Sequence, residues 1–309
     1  MIKKIKIFNE EIPVKAYYCC SDKNNIIEGE YNFNLYIKIT DYCNAKCKYC
    51  SNQSSKPGNE NLDLKKLETV LKELSNKLSL NRISITGGEP LLYIERLNKV
   101  LNKIYEVLPN ACVTINTNGI NFKNIYKLDS LSKLEGIHIS RHHYDDEIND
   151  KIFGVKTATN KDIKELFNSV ENKKLIRLNC LLIKNKIDSE EKIKKYLDNA
   201  SEIGVFRVGF VSLMPINDYC KKNFINFNDL FNDLGKKFLK TKHLYDTNIC
   251  ECCNGIYLAS NGNLIEYYAR MTKELKCDYM RQLVYTPNNE LLVGFNNKKI
   301  IIKSEENEE

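Results

Sequence analysis

No stretch of the 309 residues stays apolar for the ~18 positions that a membrane-crossing helix needs, so no membrane span or membrane partner is expected. The amino terminus, Met1-Ile-Lys-Lys-Ile-Lys-Ile, is basic but lacks the apolar segment and small-residue cleavage site of a secretory signal. A cytoplasmic location is therefore expected. One-sided charge is also slight. The net +7 fits a Lys-, Asn- and Ile-rich composition from an AT-rich genome better than an anionic partner, so nucleic acid is not expected. What the chain does have is cysteine. Twelve cysteines in an unsecreted chain argue for metal ligation over disulfides.

Three of them stand at C-x3-C-x2-C, as Cys43, Cys47 and Cys50, just after the alternating run from Leu35 to Ile39. A zinc site usually pairs C-x2-C units with a further Cys or His close by, and none follows here. A 4Fe–4S cluster normally takes four thiolates, so three leave one iron open to an outside ligand. A structural zinc site and unrelated free thiols remain the alternatives to a cluster at this point.

From residue 34 onward, strand and helix signals alternate. Strands are expected at 35–40, 82–86, 111–116, 136–140, 175–183 and 206–213, and helices at 63–78, 93–108, 123–134, 161–170 and 189–203. Strands separated by helical crossovers imply parallel pairing with right-handed connections. Chemistry is then expected at the C-terminal ends of the strands. The polar and glycine-rich clusters fall there. The cysteine loop follows the first strand, Thr86-Gly87-Gly88-Glu89-Pro90 the second, and Asn116-Thr117-Asn118-Gly119 the third. Ser140-Arg141-His142-His143 follows the fourth and Met214-Pro215 the sixth. Glycines without Cβ let backbone approach a ligand closely. His142 and His143 at a strand end can titrate near neutrality and act as acid, base or anion donor, and the substrate is expected against them, Arg141 and Arg177. His138 and His243 are set aside as lying elsewhere.

The cysteine spacing, with Tyr49 before the third Cys and the Gly-Gly-Glu stretch after the second strand, resembles the radical SAM superfamily. The resemblance implies a partial (β/α)6 TIM-like barrel of α/β class, a 4Fe–4S cluster on Cys43, Cys47 and Cys50, and S-adenosylmethionine on the open iron. Reductive cleavage of that molecule would give a 5′-deoxyadenosyl radical, with flavodoxin or ferredoxin as reductant. Cofactor contacts carried over are Tyr49, Gly87, Gly88, Glu89, Thr117, Asn118, Ser140 and Met214. Stretches 138–154, 175–204, 210–215 and 250–264 are similar to the GTP cyclase of molybdenum-cofactor biosynthesis. In that branch, four arginines grip the substrate. Their positions hold Tyr36, Ser84, Gly255 and Tyr257 here, and the Gly-Gly tail is absent. Arg177 stands where that branch has a substrate-binding lysine. Charge-assisted bonds are the strong ones, so GTP is not the expected substrate.

The expected organisation is an N-terminal hairpin over 1–33, a core over 34–215, and a helix at 227–239 with a small strand-rich twitch-like domain over 216–309. A second 4Fe–4S cluster is expected there on Cys250, Cys253 and Cys277, although Tyr267 occupies the branch's third ligand position. Cys19 and Cys20 are expected to be buried thiols. The leading expectation is hydrogen abstraction from a small metabolite. A maturase acting on a ribosomally made peptide is the rival, which the short N-terminus disfavours, and a non-catalytic Fe–S carrier or redox sensor is the third reading.

Overall fold

The computed structural model describes residues 2–15, 32–50, 60–225, 230, 242–245, 255–258, 264–268, 280, 282–295 and 300–302. Of the expected helix at 227–239 only Leu230 is described, and Cys19, Cys20, Cys250, Cys253 and Cys277 lie outside the described residues. Among the described residues no helix is long and apolar enough to cross a membrane.

Strands β1 (Ile2–Ile7) and β2 (Glu10–Lys15) make an antiparallel hairpin that buries Ile7, Ile12 and Val14. The repeating units follow: β3 (Asn32–Lys38), α1 (Leu64–Lys77), β4 (Ser79–Thr86), α2 (Ile94–Val107), β5 (Cys112–Thr117) and β6 (Gly136–Ser140). Then come α3 (Asp146–Phe153), α4 (Asn160–Ser169), β7 (Ile176–Leu182), α5 (Glu190–Glu202), β8 (Arg207–Ser212) and α6 (Asp218–Asn223). Local chemistry sets the helix starts. Asp63 caps α1 by accepting the N–H groups of Lys65 and Lys66 at 2.7 and 3.2 Å, and Thr159 and Asp162 cap α4 reciprocally.

β3 to β8 pair in chain order and all in parallel, as the alternating signals imply. The remaining strands are β9 (Lys242–Tyr245), β10 (Gly255–Leu258), β11 (Leu264–Tyr268), β12 (Gln282–Tyr285), β13 (Leu291–Val293) and β14 (Ile300–Ile302). They extend the same sheet on both sides. β12 lies parallel to β3 and β11 parallel to β8, making eight parallel strands, with β13–β14 and β10–β9 antiparallel at the edges.

The segment 123–134 is not one helix but two 3₁₀ turns, Phe122–Lys127 and Leu131–Lys133. Asn98 breaks it. Its amide donates to Lys127 O at 2.9 Å while its carbonyl accepts from Asp129 N–H at 3.2 Å, so these two backbone groups are taken.

The sheet has two unlike faces. Ile37, Ile85, Val113, Ile115, Ile139 and Leu178 pack into one core with Leu71, Leu101, Leu166 and Leu197 of the helices. Burying each such side chain stabilises the fold by roughly 1.5–3 kcal/mol. On the alternate positions Ser84, Thr114, Asn116, His138, Ser140 and Asn179 are only half-buried. A closed TIM barrel fills its interior with bulky branched side chains. Here the concave face is polar.

Candidate active site

The cysteine loop leaves the C-terminal end of β3 and is fastened by several neighbours. Thr40 Oγ1 accepts the Tyr42 N–H at 3.0 Å, and Cys50 N–H donates to Cys47 O at 3.2 Å. Lys46 N–H donates to Phe153 O at 2.9 Å, at the end of α3. Asn217, before α6, donates from Nδ2 to Lys48 O at 3.0 Å. All three thiols are half-buried. Burial pushes Cys47 up to about 12 and Cys43 above its ordinary value; charge on Cys50 and Cys43 raises Cys47 further, and charge on Glu89 and then Cys50 raises Cys43. Cys43 and Cys47 therefore favour the thiol unless a bound cationic group holds them ionised. Among the described residues no three His, Cys, Asp or Glu side chains close on a single ion. Thiolates spread over the corners of an iron–sulfur cube suit the loop better.

Gly87 and Gly88 bind this loop from β4. Gly88 N–H donates to Thr40 O at 2.7 Å and Glu89 N–H to Tyr42 O at 2.9 Å. A Cβ on Gly87, whose φ is +137°, would sit 2.3 Å from Thr40 O, and one on Gly88 would sit 1.9 Å from Tyr42 O. The close approach expected toward a ligand is therefore made first to the cysteine loop's own backbone.

Glu89 turns inward as well. Its buried carboxylate accepts Thr117 Oγ1–H at 2.7 Å, Asn118 N–H at 2.7 Å and Leu91 N–H at 3.0 Å. Burial lifts its pKa to about 7, against these three donors, which favour the ionised form. Thr117 Oγ1 also accepts the Gly119 N–H at 3.1 Å. The Asn118 side chain donates to Cys43 Sγ at 3.4 Å and to Asn44 Oδ1 at 3.0 Å. Glu89, Thr117 and Asn118, expected as cosubstrate contacts, thus spend these groups on joining the loops after β3, β4 and β5.

The loop after β6 also departs from expectation. Arg141 is 1% exposed and clamps the chain, donating to Ala158 O at 3.0 Å, to Tyr144 O at 3.1 Å and to Asp146. His142 is buried, stacks on Phe153 with centroids 4.9 Å apart and accepts Leu181 N–H at Nδ1 at 3.1 Å. Burial pulls its pKa down to about 3, which favours the neutral ring. His143 is buried too, accepts Asp145 N–H at 3.0 Å and has its pKa lowered chiefly by burial. Tyr49 meets His142 edge-on at 5.1 Å and packs against the cluster of Ile183, Leu213 and Cys220. Met214, half-buried, follows β8 beside that cluster's Leu213.

The polar face gathers a different set. Arg177 pairs in register with His138, and Ser140 with Asn179. A Cβ on Gly209 would lie 2.2 Å from Arg177 Nη2 and 2.5 Å from Asn179 Oδ1, so this glycine makes room for both side chains. Asn179 Oδ1 is buried with no hydrogen-bond partner among the described residues. His138, set aside on sequence grounds, stands in this row. Its signal was the two-residue spacing to Ser140.

A sequence model of the Radical SAM superfamily matches residues 37–197. The chain is 26% identical to the probable GTP 3',8-cyclase of Methanococcus aeolicus, over 75% of this chain and 83% of the relative. It is 23% identical to the GTP 3',8-cyclase of Aquifex aeolicus, over 74% of this chain and 80% of the relative. Among solved structures it is similar to Streptococcus suis SuiB bound to S-adenosylmethionine, with a TM-score of 0.63, 21% identity and coverage of 90% of this chain. It spans 64% of that structure's length, and the likeness shows the fold, a partial TIM-like barrel. With the superfamily's model matched over more than half the chain and across the Cys43, Cys47 and Cys50 loop, the chain belongs to the radical SAM superfamily.

Proposed function

We propose that this chain is an enzyme that holds a 4Fe–4S cluster on Cys43, Cys47 and Cys50, cleaves S-adenosylmethionine reductively, and abstracts hydrogen from a small-molecule substrate. One observation carries the reading: the three-cysteine loop sits at the C-terminal end of a parallel strand, locked by Gly87-Gly88, beside a polar concave face. When bound, the cluster supplies the electron that opens the sulfonium of S-adenosylmethionine. The protein's part is to hold the loop still through Gly88, Glu89 and Asn118. Arg177 and Asn179 orient the substrate across the concave face, with Ser140 in the same row as a contact for S-adenosylmethionine. Flavodoxin or ferredoxin would serve as the reductant.

The substrate we favour is not GTP. Tyr36, where the cyclase branch has an arginine, meets Phe295 edge-on with centroids 4.9 Å apart, and Ser84 shares a 3.0 Å hydrogen bond with Thr114. Neither position offers a positive charge to a triphosphate. A peptide substrate is the second reading, favoured by the fold's likeness to SuiB, also solved bound to the precursor peptide SuiA at a TM-score of 0.58. We propose a core over 34–215 flanked by 1–33 and 216–309, with a second cluster on Cys250, Cys253 and Cys277.

Anaerobic reconstitution with iron and sulfide, then dithionite, should give 5′-deoxyadenosine from S-adenosylmethionine. Changing Cys43, Cys47 and Cys50 together to Ala should abolish it, and undiminished product would overturn the proposal. A cyclised product from GTP would overturn the substrate argument alone.

A further inference from the structure

Cys43 Sγ receives two N–H groups, from the backbone of Ala45 at 3.4 Å and from the side-chain amide of Asn118 at 3.4 Å. The loop itself fixes the backbone donor. A side-chain donor must be held, and Asn118 is held at its side-chain amide, its Oδ1 and its backbone N–H. Its amide also donates to Asn44 Oδ1 at 3.0 Å, its Oδ1 accepts Ile120 N–H at 2.9 Å, and its backbone N–H donates to Glu89 Oε2 at 2.7 Å. Asn44 is tied in turn to Asn121 Oδ1 at 2.9 Å. An Asn that merely shapes the turn after β5 would need only the bond from Ile120. The bridge to Cys43 and Asn44, and a buried carboxylate behind the backbone N–H, go beyond that requirement.

Resting on the reading of Cys43, Cys47 and Cys50 as cluster ligands, we infer that Asn118 is a positioning residue that raises the cluster's reduction potential by donating its amide N–H to Cys43 Sγ. An added electron increases the negative charge on the cluster and its sulfurs. A fixed N–H dipole stabilises that reduced state more than the oxidised one, and hydrogen bonds to sulfur are among the factors that set such potentials. Glu89 acts at one remove: by accepting Asn118's backbone N–H it fixes where the amide points.

The test is an anaerobic redox titration of the reconstituted full chain, followed by the electron paramagnetic resonance of the reduced core cluster, without S-adenosylmethionine. A second cluster, if present, is removed from the signal by carrying Cys250→Ala and Cys253→Ala in both proteins. Asn118→Ala should keep its iron. At the parent's midpoint its reduced-to-oxidised ratio should fall about tenfold, equivalent to a potential lower by about 59 mV for a one-electron couple. An unchanged midpoint with iron retained overturns the inference. A parent protein that takes up no iron would instead overturn the cluster reading beneath it. Should Asn118→Ala fail to hold iron, the parent protein labelled with nitrogen-15 at its asparagine side chains decides. Hyperfine coupling of a labelled amide to the reduced cluster supports the bond, and absence of coupling overturns it.

Discussion

Replacing His142 by Asn should remove a defined part of the fold's sensitivity to acid. The imidazole lies buried between Phe153 and Tyr49, and its Nδ1 accepts the Leu181 N–H. Burial lowers its pKa from 6.5 to about 3. The folded value lies below the unfolded one, so the neutral ring's contribution is full above about pH 6.5 and is lost as pH falls through the folded value. One unit of pKa corresponds to about 1.36 kcal/mol, so a drop from pH 7 to pH 5 should cost about 2 kcal/mol through this residue. Asn keeps an acceptor near the position of Nδ1 but does not titrate. Urea unfolding of iron-free, thiol-reduced protein at both pH values measures the effect. The difference between parent and His142→Asn isolates it from the carboxylates common to both. Equal pH dependence in the two proteins would refute the argument from burial.

Glu89→Gln should act in the opposite window. The Glu89 pKa is raised by burial to about 7, so its contribution is full below the unfolded value of 4.5 and is lost as pH rises through 7. The variant's stability should therefore fall about 3 kcal/mol less than the parent's between pH 4.5 and 8 in the same urea experiment, and parallel curves would refute it. Gly88→Ala would set a Cβ 1.9 Å from Tyr42 O, a backbone atom that no rotamer can move, so iron per chain after reconstitution should drop sharply. Full loading would show that the loop adjusts without loss. Arg141→Met removes a buried cation bound to Asp146 and two carbonyls, and urea unfolding should report a loss of about 3 kcal/mol. A change below about 0.5 kcal/mol would place that clamp outside the fold's stability.

Much of the fold was legible because period and punctuation agreed. The apolar alternation of β3 to β7 and the leucine stripe of α1 located those elements to within a few residues of their observed ends. Failures came where a distant side chain decided the outcome. The helical reading of 123–134 did not foresee Asn98 taking backbone groups at Lys127 and Asp129. Helix α3 buries only Asn149 and Phe153, too little for an apolar period to register. The parallel placement of β11 and β12 beside β8 and β3 is a long-range pairing that local pattern does not encode.

The candidate site divides along the same line. Parallel topology put the motif loops on one rim, and that much followed from the order of strands. Which partner each motif residue would take did not follow, because residue type says what a group can bond and not where its neighbours stand. Glu89, Thr117 and Asn118 bond one another and Cys43, while Gly87 and Gly88 press against Thr40 and Tyr42. The histidines separate in a way the sequence did not show: adjacent His142 and His143 are buried, whereas His138 shares the polar face with Ser140 and Arg177. A residue in a motif loop is constrained by the loops it must join. A residue at an alternate strand position on the polar face joins at most neighbouring strands, as Ser84 does with Thr114 and Asn116 with Ile85 O. On the proposed function, substitutions at Tyr36, Ser84, His138, Arg177 and Asn179 should change which substrate is used, whereas substitutions in the motif loops should change how the cysteines are held.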